Sequence, residues 1–183
     1  MGPVRRLGAG ARRRRDLRGA SKSFASRASV AKVTTLQNPR KIEAMPRIYR
    51  AMYHDQEKPV PGAKPNQLGV RVPPDSPTDV TPDAEGHVAP GSGMSVAPAW
   101  RRLPAFLIPE RLKDKAPKAR GDDRLRVWRH GEGAFVNCAI NAQLTLSRTT
   151  SKHGEVEPTQ RIPLDEYQAA LAATRDDWEW DEA

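Results

Sequence analysis

With 183 residues the chain has room for one domain and a tail at either end, and its 32 Leu, Ile, Val and Phe residues leave only a lean core. The net charge of +9 is uneven: residues 1–42 hold twelve Lys or Arg against one acid, so the remainder is close to neutral. That split argues against a uniform basic face for nucleic acid beyond the leader. The single cysteine excludes an internal disulfide, and no apolar run reaches the length of a membrane span.

Residues 1–42 form a Ser- and Arg-rich leader that contains Arg12, Arg13, Arg14 and Arg15. Its acid-poor, hydroxyl-rich composition fits a mitochondrial transit peptide, a disordered arm for polyanions, or a misplaced gene start. The expected compartment is reducing: mitochondrial in the first case, cytoplasmic otherwise.

Residues 43–174 are expected to fold. Ile48 to Tyr53 is a β-prone run after Pro46. Seven prolines between Pro59 and Pro82 exclude a helix there, and only Leu68 to Val72 could make a strand within a long loop of functional character. A Gly-rich turn then delivers the strand Met94-Ser95-Val96, and Pro98 opens a short helix through Leu103. Ala105 to Ile108 is a short apolar run, and residues 113–124 read as surface loop.

Strands are expected at Leu125–Trp128, Ala134–Cys138, Gln143–Leu146 and Val156–Pro158. Cys138, beside Phe135 and Val136, is expected to be a small buried hydrophobe. Pro163 starts the clearest helix, with Leu164, Tyr167, Gln168 and Leu171 on one stripe and Asp165 and Glu166 in the first turn. Residues 175–183 form an acidic, Trp-containing tail, expected to fray.

Pairs such as CxxC, the Gly-x-Ser-x-Gly elbow and the Walker loop are missing from the sequence, and the four histidines lack ligand spacing, so no metal is expected. Three short features remain: Tyr49-Arg50-Ala51, Gly93-Met94-Ser95-Val96-Ala97-Pro98, and His153 through Pro158 into Pro163-Leu164-Asp165-Glu166-Tyr167. Taken singly, each reads as ordinary structure: Arg50 as a strand-edge charge, Ser95 as a backbone partner, Glu157 as a solvated acid.

In this order, from Ile48 to Leu171, with Leu103-Pro104 and Ile108-Pro109-Glu110-Arg111-Leu112 between, they resemble the ADP-ribosyltransferase toxin domain of type VI secretion effectors and their fungal relatives. The resemblance implies an α+β fold of two twisted antiparallel sheets around a cleft, with few short helices. It also implies cleavage of the nicotinamide–ribose bond of NAD, used as substrate. Arg50 would hold the cofactor by its planar fork, with Tyr49 and His153 also on it, while Ser95 would fix the ribose. Glu157, then Glu155, would stabilise the oxocarbenium-like transition state. The two flank Val156, so only one of them is expected to face the cleft if this is a strand. Tyr49 and Trp100 are otherwise expected in the core.

The implied partners are NAD, an acceptor macromolecule and an inhibitory or immunity protein, with no membrane insertion. Two other readings stand beside the enzyme: a non-catalytic binding module of the same fold, and an organellar nucleic-acid-associated protein working through the leader.

Overall fold

The computed structural model describes residues 44–183, and the leader assigned to residues 1–42 lies outside them. Strands follow in chain order as β1 (Ile48–Met52), β2 (His54–Asp55), β3 (Lys58–Pro59), β4 (His87–Val88), β5 (Met94–Val96), β6 (Arg126–His130), β7 (Cys138–Ala139), β8 (Leu144–Arg148), β9 (Gly154–Pro158) and β10 (Ile162–Pro163). Then come the helix α1 (Leu164–Ala173) and β11 (Trp178–Trp180). Three 3₁₀ turns, Trp100–Arg102, Ala105–Leu107 and Glu110–Leu112, bridge β5 and β6.

One antiparallel sheet runs β1-β6-β11, and a second runs β5-β9-β8-β7. They are joined where Tyr49 and Ala97 exchange backbone hydrogen bonds of 2.8 and 3.0 Å. Two ribbons, β2-β3 and β4-β10, complete the pairing. The fold is therefore mixed and mostly antiparallel strand, with one α-helix and no barrel among the described residues.

Strand alternation sorts the side chains into two cores. Ile48 and Met52 of β1 meet Trp128, Trp178, Met94, Leu146 and Val156, with Tyr167 and Leu171 of α1, in the larger one. Tyr49 and Ala51 point the other way, to Val127, Leu125, Trp100 and Ile108. Because both of its faces are covered, β1 is buried along its whole length. Arg50 shares the parity of Ile48 and Met52 and is buried with them.

Three expectations are corrected. Leu68–Val72 forms no strand, yet Leu68 and Val70 are fully buried. Instead of a ladder, Gln168 of α1 accepts from the Val70 N–H and donates to its carbonyl, at 3.2 and 2.7 Å. Ala134–Cys138 bends rather than extends, and only Cys138–Ala139 pairs, with Cys138 partly buried against the larger core.

The tail does not fray. Trp178 and Trp180 alternate in and out as β11, one 1% exposed and the other 59%. The Trp178 indole donates to Thr174 Oγ1, Asp181 N–H bonds the Val127 carbonyl, and the Glu182 carboxylate accepts from the Val127 N–H and pairs with Arg111.

α1 also sets the geometry of the second sheet. Met94 and Val156 are opposite residues of β5 and β9. The buried Tyr167 hydroxyl stands at this pair, accepting from the Met94 N–H at 3.2 Å and donating to the Val156 carbonyl at 2.5 Å. Gly93 precedes this insertion, and a Cβ there would lie 2.3 Å from the same carbonyl. Tyr167→Phe leaves both groups unpaired and is expected to cost about 1–3 kcal/mol in urea unfolding. An unchanged midpoint would show the hydroxyl to be idle.

His130 of β6 is 2% exposed and tilted against the Trp178 ring at 5.3 Å, and neither ring nitrogen has a hydrogen-bond partner among the described residues. Burial holds its pKa below 6.5, with Asp177 pulling weakly the other way. Below about pH 6.5 the unfolded chain takes up a proton that the folded one refuses. Stability therefore falls as the pH is lowered, by up to ~1.4 kcal/mol per unit, until the folded-state pKa is reached. His130→Phe is expected to flatten that part of the pH–stability curve.

Candidate functional site

A cavity of about 490 Å³ opens where β1, β5, the proline-rich loop and the 3₁₀ turns converge. That volume suits a drug-sized or nucleotide-sized ligand. Arg50 comes from β1, Ser95 from β5 and His153 from the turn before β9, and all three line it. Pro65, Pro77 and Pro104 form part of the wall.

Arg50 is held rather than free. Its Nη1 donates to the Ser95 carbonyl at 2.8 Å and Nη2 to the Gly69 carbonyl at 3.4 Å, while Nε has no partner among the described residues. Burial lowers its pKa to about 10, opposed chiefly by Asp79, so the guanidinium stays charged at neutral pH. Backbone carbonyls orient this fork without neutralising it, which leaves charge and donors for an anion.

Arg71 and Asp79 line the same cavity but occupy one another. The Arg71 guanidinium forks onto the carboxylate at 3.0 and 2.8 Å, and its backbone N–H adds a third bond at 2.8 Å. Burial works to raise the Asp79 carboxyl, but these bonds and Arg50 outweigh it and hold it below the usual range. His153 places Nδ1 2.8 Å from Thr149 Oγ1, which fixes the ring at the rim.

The two acids behave differently from the expectation. Residues two apart on a strand share a face, so Glu155 and Glu157 point to the same side of β9 and the choice between them is one of surroundings. Glu155 is paired with Ser95 across the ladder. Burial raises its carboxyl, and His153, Glu157 and Asp79 are the charges it feels. Glu157 lies one register further on, opposite Thr145, where its Oε2 accepts from the Gly91 N–H at 2.7 Å. Neither acid is on the cavity wall; Glu155 is the neighbour of its Ser95 edge.

Tyr49 is not on the cavity wall. It is buried in the smaller core, and its hydroxyl donates to Asp181 at 3.1 Å. Trp100 is core as well, its indole donating to the Ala183 carbonyl. Sequence reasoning missed Arg71, Asp79, Arg102, Phe106 and Lys152, all of them wall residues. For Arg102 and Phe106 the available signal was the basic character of the segment after Trp100; Arg71, Asp79 and Lys152 lie outside it.

Among the described residues no cluster of His, Cys, Asp or Glu could hold a metal ion, and no helix is long and apolar enough to cross a membrane. No protein-family model matches this chain, and comparison with curated proteins finds no match.

Proposed function

We propose that the chain is an NAD-dependent ADP-ribosyltransferase, or an NAD glycohydrolase, of the toxin type. The observation that carries this reading is the meeting of Arg50, Ser95 and His153, from three distant segments, on one nucleotide-sized cavity. The two antiparallel sheets joined at Tyr49–Ala97 support an ADP-ribosyltransferase-like arrangement for the same reason.

In this reading Arg50 holds the pyrophosphate, and Ser95 and His153 position the nicotinamide-bearing ribose. The C–N bond breaks, nicotinamide leaves with the electron pair, and water or an acceptor adds to the ribose carbon, releasing its proton to solvent. Glu155, the ladder neighbour of Ser95, is the carboxylate assigned to this chemistry, since Asp79 on the cavity wall is occupied by Arg71. Glu157, tied to Gly91, serves the turn that delivers β5. An inhibitory protein that covers the cavity belongs to the same proposal, as does a reducing compartment.

The test is incubation of the purified protein with nicotinamide-labelled NAD. Released nicotinamide is the expected result, and a parallel incubation with adenylate-labelled NAD should give labelled ADP-ribose, free or attached to added lysate components. A binding module of the same fold is the second reading, favoured by the absence of a carboxylate other than the Arg71-paired Asp79 on the cavity wall. It predicts that NAD raises the melting temperature while no nicotinamide appears. Neither effect would rule out both.

A further inference from the structure

Near neutrality outside the leader conceals a local asymmetry. Between Arg101 and Arg120 stand seven Lys or Arg and two acids, and this segment carries one wall of the cavity. Some of its cations are committed: Arg101 stacks over Trp100 at 4.4 Å, Arg111 pairs with Asp123 and Glu182, and Lys113 pairs with Glu110. Lys118 bonds only a backbone carbonyl, that of Leu103, and so keeps its charge unbalanced.

Phe106 stands in the middle of this wall at 61% exposure. Arg102 and Lys152 line the same cavity from either side, both exposed, and the Arg120 backbone donates to Ala105 beside the ring. None of these three side chains has an ion-pair partner among the described residues. The other exposed large apolar side chains, Met45, Val136 and Trp180, lie outside this wall. A protein interface would want several adjoining apolar groups at its centre. A lone aromatic ring among unpaired cations is instead the chemistry of single-stranded nucleic acid, where phosphates meet the cations and a base stacks on the ring.

We infer that the rim around Phe106 docks single-stranded nucleic acid at the mouth of the cavity, with Arg102, Lys118, Arg120 and Lys152 on its phosphates. Docking stands on these residues alone; only the idea that the docked strand is the ADP-ribose acceptor rests on the function proposed above.

The test is fluorescence anisotropy of a labelled oligothymidylate with the full chain, without NAD, across a salt series. The leader contributes equally to parent and variants, so differences report the rim. Phe106→Ala is expected to weaken binding about 10-fold. The double change Arg102→Glu and Arg120→Glu is expected to weaken it further and flatten the dependence on salt. Phe106→Trp should retain binding, with its indole emission quenched by the oligonucleotide. Equal affinity and salt slope in all variants, with no quenching, would overturn the proposal and leave the leader as the binder. Displacement by polyglutamate as effective with Phe106→Ala as with the parent would overturn it in favour of an acidic protein partner. Since NAD is absent here and oligonucleotide is absent from the nicotinamide assay, either proposal can fail without the other.

Discussion

Trp178→Ala is expected to destabilise the fold by about 3–5 kcal/mol, the usual range for emptying a fully buried indole site. The indole lies in the larger core against His130, and its N–H bonds Thr174, so truncation leaves a void and removes the donor to a hydroxyl that keeps only its bond to the Leu171 carbonyl. The loss also loosens β11, through which Asp181 and Glu182 hold the edge of β6. For a domain of this size the melting temperature should drop by roughly 10–20 °C. That is a large fraction of ordinary domain stability. Trp180, two residues on and mostly exposed under Arg126, provides the control. Trp180→Ala should stay within about 0.5 kcal/mol of the parent. Equal effects at the two positions in thermal melts would contradict the in–out alternation assigned to the tail.

The second large effect concerns chemistry. In the proposed enzyme, Arg50→Lys is expected to reduce nicotinamide release on the order of 100-fold, the scale associated with misplacing a substrate that has lost its bidentate Arg clamp. Lysine keeps a positive charge but cannot bridge the Ser95 and Gly69 carbonyls while presenting a planar fork to a pyrophosphate. Ser95→Ala separates positioning from anchoring: Arg50 grips the Ser95 backbone, so deleting the hydroxyl leaves the guanidinium in place. Its expected signature is loss of turnover with NAD binding retained. Circular dichroism checks that each variant folds. A fully active Arg50→Lys enzyme would remove the guanidinium from the mechanism.

Elements with a regular apolar period were readable from the chain. The run at Ile48, the strand at Met94 and the helix after Pro163 each carry their own burial pattern, and each forms where that pattern lies. The tail was readable in principle, since Trp-Glu-Trp is a strand alternation, but its acids suggested solvent. In fact they complete hydrogen bonds to Val127, Tyr49 and Arg111, partners far away in sequence. Leu68 to Val72 stood out as apolar, and Leu68 and Val70 are buried, but the Gln168 side chain takes the place of a partner strand at Val70, a contact that local pattern does not announce.

In the cavity, Arg50, Ser95 and His153 came from short motifs. Arg71 and Asp79 did not, because a salt bridge across an irregular loop leaves no periodic trace. Counting charge over the whole domain likewise averaged away the basic wall around Phe106. The Glu155–Glu157 parity needed no structure, since a two-residue spacing on a strand already places both on one side.

The placement of β6 between the earliest and latest strands has a consequence for biogenesis. A ribosome making this protein releases β1 and β6 long before β11, so the three-stranded sheet cannot close until Trp178–Trp180 has left the exit tunnel. Until then Trp128 and His130 lack the indole that covers them. Nascent chains stalled upstream of residue 178 should therefore be protease-sensitive and without activity, so the cell would meet the finished molecule only after synthesis has passed that point.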